Sequence, residues 1–253
     1  MTQSTLDSLT GNGRGRRALT RRRPPAVQRE LPFPTPGGGP RNGAGRKPTG
    51  RHSVPHRARP RHLAAHPVHV TLRSLFRPLR SQHVFPTICL AIRGATRRYG
   101  DFRVVHFSVQ WDHVHLVVEA SDKRALSAGV RSLVIRIARS VNELVMRRGR
   151  FWADRWHGRD LTSPRAVRNA LVYVLANFRK HAKATLGRGI DAYSSAPRFD
   201  GFRGYDEGSV LPRAGPALHT AFAPLVVVSK AKTWLATTGW RRAGLIRVDE
   251  GPR

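Results

Sequence analysis

Apolar and polar positions follow two periods along the middle of the chain. In "PVHVTLRSL", Val68, Val70 and Leu72 alternate with His69, Thr71 and Arg73, the pattern of a half-buried strand. After Pro86 the period lengthens: Ile88, Ala91, Ile92 and Ala95 recur at helical spacing, and Gly100 stops the run. "DFRVVHFSVQ" returns to alternation, with Val105, Phe107 and Val109 on one face and His106 and Ser108 on the other. A two-residue turn at Trp111-Asp112 leads into "HVHLVVE", so the two strands form an antiparallel hairpin. From Lys123 to Arg148 a long amphipathic helix buries Leu126, Val130, Leu133, Ile137, Val141 and Leu144. Its other side carries Arg131, Arg136, Arg139 and Arg147, read as a solvated face. "GRFWADRWHGRDL" reads as a strand plus a loop. Ser163 and Pro164 then supply the N-cap and first position of another helix, with Val167, Leu171, Val174 and Phe178 as its buried stripe. That helix is expected to fade beyond Ala184 and Gly187. The element order predicts an α+β fold, a ferredoxin-like split βαβ sheet with an additional C-terminal helix that bears Tyr173.

The flanks break both periods. Residues 1–65 are rich in Arg, Gly and Pro and cannot bury enough apolar surface to order a chain, so they read as a disordered basic arm. Within them His52, His56 and His62 read as solvated. This leaves residues 66–187 as the periodic domain and 188–253 as a tail or small appendage. In that last part "IDAYSSAPRFDGFRG" looks like ordered turns, and "APLVVVSKAKTWLATTGWRRAGL" looks like a short helix-turn-helix-like unit.

Charge narrows the partner. The chain has 46 Lys and Arg against 15 Asp and Glu, a net +31 over 253 residues. Such an excess favours a polyanion, nucleic acid first, and the dominance of Arg suits bidentate phosphate contacts. No stretch looks like a basic amphipathic membrane anchor, no apolar run is long enough to span a bilayer, and no apolar export segment opens the chain. The expectation is a cytoplasmic protein that associates with the nucleoid when bound to DNA, with no membrane partner. A single cysteine, Cys89, excludes a disulfide framework and a Cys-based zinc site.

Two stretches carry candidate chemistry. In "QWDHVHLVVE", strand alternation puts His113 and His115 together on one face while Val114, Leu116 and Val118 point to the other. Two imidazoles on one rigid strand can ligate a metal together. In "VRNALVYVLANFRKHA", Tyr173 and Asn177 are four apart and share a helix face that Asn169 and His181 extend. Tyr173 then lies at the edge of the buried stripe, with its hydroxyl able to face a site.

Together, "HPVHVTLR", "FRVVHFSVQWDHVHLVVEA" and "VRNALVYVLANFRKHA" resemble the HUH single-tyrosine transposases, most closely the REP-associated tyrosine transposase branch. "TWLATTGWRRAGLIRVDE" also resembles the end of such proteins. The resemblance covers about residues 66–184. It implies that Tyr173 is the nucleophile and that His113, His115 and Asn177 hold a divalent metal. Two departures stand out: many insertion-sequence members have Gln at the position of Asn177, and Asp112 replaces a more usual Asn.

A metal on two imidazoles and an amide oxygen leaves positions for phosphate and water, which suits Mg²⁺ or Mn²⁺. The implied activity is cleavage and rejoining of single-stranded or hairpin DNA through a phosphotyrosine linkage, with bases stacked on Trp111, Phe151 or Trp152. His157, Asp160, Glu119 and His181 are candidates only for completing the shell or a proton path. The resemblance implies a homodimer as one assembly, because some dimeric relatives take the tyrosine helix from the partner subunit. The alternative function is a domesticated or inactive relative that grips a nucleic-acid hairpin without cutting it. A metallo-hydrolase of another fold is disfavoured, because no second acidic-His cluster follows "HVHL".

Overall fold

A computed structural model describes residues 61–98, 100–178, 189–203, 213–214 and 227–252. The basic arm up to residue 60, His181 and the expected end of the tyrosine helix lie outside these residues.

The chain order is β1 (Val68–Arg73), α1 (Phe85–Arg98), β2 (Phe102–Val109), β3 (His113–Ala120), α2 (Lys123–Leu144), β4 (His157–Asp160) and α3 (Pro164–Ala176). The sheet order is β2-β3-β1-β4, and every pair is antiparallel. Two interleaved strand-helix-strand units produce this order, which is the ferredoxin-like arrangement the periods predict. Local chemistry agrees with the boundaries. The Asp122 carboxylate caps α2 at Ala125 N, and the Ser163 hydroxyl caps α3 at Ala166 N with Pro164 following.

Each sheet face has its own core. Val68, Val70, Leu72, Leu116 and Val118 pack against Ile88 and Ile92 of α1 and Val130, Leu133 and Ile137 of α2. The opposite face carries His69, Thr71, His113 and His115. There Val117 joins Val167, Leu171 and Val174 of α3 with Trp240 and Ile246 from the C-terminal segment. Alternation along β3 therefore sends Val114, Leu116 and Val118 towards the helix pair and His113, His115 and Val117 towards α3.

Some expectations need correction, and one of them is the end of α2, which stops at Leu144 rather than Arg148. The sheet register shifts between Val104 and His106, so Val104 rather than Val105 joins Phe107 and Val109 in the core beneath the helix pair, although Val105 is also buried. A β-bulge inserts one residue and breaks the period of two. The described part of α3 runs to Ala176, with Asn177 as its C-cap. The C-terminal segment is not a helix-turn-helix-like unit. Its described residues hold a two-residue strand, β5 (Ile190–Asp191), paired with β6 (Arg213–Ala214), and a short helix, α4 (Trp234–Thr237), followed by a 3-10 turn at Gly239–Ala243. Its residues cover the β2 edge, where Tyr193 O accepts from Val109 N at 2.8 Å and Phe107 O accepts from Ser195 N at 2.9 Å. Covering an edge strand in this way removes a site for unwanted strand pairing.

Candidate active site

Each residue of the site is placed by the element that carries it. His113 opens β3 beside the Trp111-Asp112 turn, and His115 lies two residues on, on the same face. Their rings meet edge to face with centroids 4.6 Å apart. Helix α3 crosses this face because Val167, Leu171 and Val174 bury against it. Tyr173, at the edge of that stripe and half-buried, is brought to His115 with ring centroids 4.9 Å apart at 83°. The structure thus joins His113, His115 and Tyr173 from two elements distant in sequence.

Asn177 lies one helical turn beyond Tyr173. It is 0% exposed, and neither its Oδ1 nor its Nδ2 has a hydrogen-bond partner among the described residues. A buried carboxamide in that condition is costly, so it marks a place where a ligand atom is wanted.

Polar neighbours fix both histidine rings. The Asp112 Oδ1 lies 2.7 Å from His113 Nδ1, which engages that nitrogen. Asp112 also receives Arg73 and Arg77, each at 3.3 Å. Partial burial opposes ionisation of Asp112, but the His113 hydrogen bond and charge, with Arg73 and Arg77, outweigh it and hold the carboxyl below its ordinary range. For His115, Nδ1 lies 3.2 Å from Thr71 Oγ1 and 3.3 Å from His69 Nε2.

His69 is the residue the sequence reading missed. Burial first, then the neighbouring His157 and Arg159, push its pKa down to about 4, so the ring is neutral near pH 7. Its ring also meets Tyr173 edge-on at 5.5 Å. The signal was present in the alternation of β1, which put His69 and Thr71 on the polar face. Only the β1–β3 register, with Thr71 opposite His115, shows that this face is shared.

The remaining candidates separate. Glu119 is fully buried and accepts from Arg103 Nη1 (3.0 Å), Lys232 N (2.9 Å), Thr233 N (2.9 Å) and Thr233 Oγ1 (2.8 Å), so it anchors the C-terminal segment. Asp160 accepts from His62 at 3.3 Å. His62 is buried rather than solvated, its Nε2 lying 3.1 Å from Ala120 O. His157 is exposed on β4, opposite Thr71. Trp111 is exposed and able to stack on a base, whereas Phe151 is a core residue and Trp152 donates its Nε1–H to Val134 O.

A cavity of about 1060 Å³ adjoins the site, with Tyr173 and His69 in its wall. Arg159, Arg165, Arg168 and Asn169 line one side, and Arg247, Asp249 and Glu250 of the C-terminal segment line the other. Arg168 is held by the Glu250 carboxylate at 2.7 and 2.8 Å. Arg159 and Arg165 form no ion pair with a described carboxylate.

Imidazole nitrogens and an amide oxygen are donor types that a divalent ion accepts. Both imidazoles have Nδ1 engaged, and a buried amide without a described partner stands one turn from Tyr173. Among the described residues no three His, Cys, Asp or Glu side chains gather as a ligand set.

No protein-family model matches the chain, and no curated protein sequence matches it. Among solved structures, it is similar to that of a REP-associated tyrosine transposase bound to a REP hairpin. The identity is 14%, the TM-score 0.46, and the match covers 71% of this chain and 93% of the other.

Proposed function

We propose that this protein is a metal-dependent, tyrosine-using nuclease and strand transferase acting on single-stranded or hairpin DNA. The observation that carries the reading is the meeting of Tyr173 with the His115–His113 pair, at 4.9 and 4.6 Å between ring centroids, on one sheet face. The sequence motifs, the basic balance of the chain and the arginine-lined cavity beside Tyr173 support it.

In this reading His113, His115 and Asn177 would hold Mg²⁺ or Mn²⁺. When bound, that ion polarises the scissile phosphate and offsets the charge that develops on it. The Tyr173 hydroxyl oxygen forms the new bond to phosphorus, its proton passes to solvent, and the bond from phosphorus to one sugar oxygen breaks to leave a hydroxyl end. The phosphotyrosine keeps the energy of the phosphodiester, so a second strand end reverses the step without ATP. Helix α3 fixes the direction of attack because its valine and leucine stripe is locked into the second core. Arg159 and Arg165 steer the phosphate backbone to the cavity, and exposed Trp111 offers a stacking surface.

Incubation with a panel of DNA hairpins carrying single-stranded flanks, with Mn²⁺, tests the activity. Cleavage at one position in a flank, abolished by chelator, is expected. Tight binding of a hairpin with no cleavage in Mn²⁺ or Mg²⁺ would establish instead a hairpin-binding protein.

A further inference from the structure

We infer that His69 is a positioning residue of this site. With Thr71 it braces Nδ1 of His115, so that Nε2 is the ligating nitrogen, and it ties that ring to the nucleophile helix. The inference rests on the reading that His115 ligates a divalent ion.

An imidazole can ligate through either nitrogen, and a hydrogen bond to one of them selects the other. Ligation through Nε2 requires that Nδ1 carry the proton and donate it. Strand β1 offers two acceptors. Thr71 stands directly opposite His115 in the ladder, with Oγ1 at 3.2 Å, and His69 stands diagonally, with Nε2 at 3.3 Å. The two differ in stiffness. A hydroxyl rotates to suit either tautomer of its neighbour. The His69 ring is instead held between two others, 5.3 Å from His115 and 5.5 Å from Tyr173 by ring centroids. These contacts close a triangle with the 4.9 Å approach of His115 to Tyr173. His69 therefore couples the orientation of the ligand ring to the placement of the phenol.

Replacement of His69 by three residues of different reach tests this. His69→Leu keeps bulk and removes the acceptor. His69→Gln returns an amide atom near the position of Nε2, while His69→Asn reaches only the position of Nδ1. Mn²⁺ affinity is read by electron paramagnetic resonance, and the His115 tautomer by ¹H–¹⁵N ring correlations of the metal-free protein. We expect His69→Leu and His69→Asn to bind Mn²⁺ more weakly by about 10–100-fold, as for a lost outer contact to a ligand. The Nδ1–H signature of His115 should blur in both variants, and His69→Gln should recover most of the affinity. Equal Mn²⁺ binding by the Gln and Asn variants, or a His69→Leu protein indistinguishable from wild type, overturns the brace. His115→Ala separates the two levels. If it binds Mn²⁺ as the wild type does, the ligand assignment fails and the brace with it. If it loses Mn²⁺ while the His69 variants do not, only the brace fails.

Discussion

Asn177 is costly to the folded protein as it stands. Its carboxamide has no exposed surface and no described hydrogen-bond partner, a condition that costs roughly 1–3 kcal/mol. Truncation to alanine removes that cost along with a small amount of packing, and the two nearly cancel. We expect Asn177→Ala to melt at or above the wild-type temperature while binding Mn²⁺ about 10–100-fold more weakly. Calorimetry and a Mn²⁺ titration check this. A clear drop in melting temperature with unchanged Mn²⁺ affinity would make Asn177 a packing residue. The neighbouring residues show what can be read from a single stretch. His113, His115 and Tyr173 were legible because each lies in a short run whose period fixes its face. His69 lies in another strand, and its relevance depends on a cross-strand register that no local period encodes. Glu119 was legible as a polar residue in an apolar strand. Its use was not, since the amides it satisfies, at Lys232 and Thr233, come from far along the chain.

Helix starts formed where the sequence put them, although α2 ends at Leu144, short of Arg148. Helices α2 and α3 begin at the caps Asp122 and Ser163 because those side chains satisfy backbone N–H groups that the helix leaves over. The bulge in β2 escaped detection, since one inserted residue puts the strand before it out of phase with the strand after it without changing composition. Beyond it His106 keeps the face opposite Phe107 and Val109 that the alternation gives it. His106 is turned against Ser195 Oγ (3.3 Å) and the Phe199 ring of the C-terminal segment. Burial, only partly offset by Asp200 and Glu119, lowers its pKa to about 4 from 6.5. The unfolded chain then takes up a proton near pH 6.5 and the folded chain only near pH 4, so acid favours unfolding across that window. This site alone withdraws roughly 3 kcal/mol by the lower end. The urea midpoint should fall as pH drops from 7 to 4.5, and His106→Gln should make that fall shallower. An equally steep dependence in the variant would place the acid sensitivity elsewhere, His69 being the next candidate.

At the scale of the molecule, three layers set the function: a helix pair, the sheet, and α3 with the C-terminal segment. The α+β class and strand order followed from the alternation of periods. The third layer did not, because its short helix and turns are held by Glu119, by β2 backbone groups and by the Trp240–Ile246 core rather than by their own propensities. The net charge of +31 speaks for a nucleic-acid partner but is silent on whether that partner is cut. Cutting by a tyrosine leaves a mark that binding cannot. Wild-type protein incubated with a cleavable hairpin and Mn²⁺, then denatured and digested, should yield a tryptic peptide bearing a nucleotide on Tyr173 in tandem mass spectra. Tyr173→Phe, which keeps the ring and its contact with His115, should bind the same DNA with unchanged affinity and yield none. A nucleotide adduct on any other residue, such as Tyr193, or one that persists in Tyr173→Phe, would contradict the assignment of Tyr173 as the nucleophile.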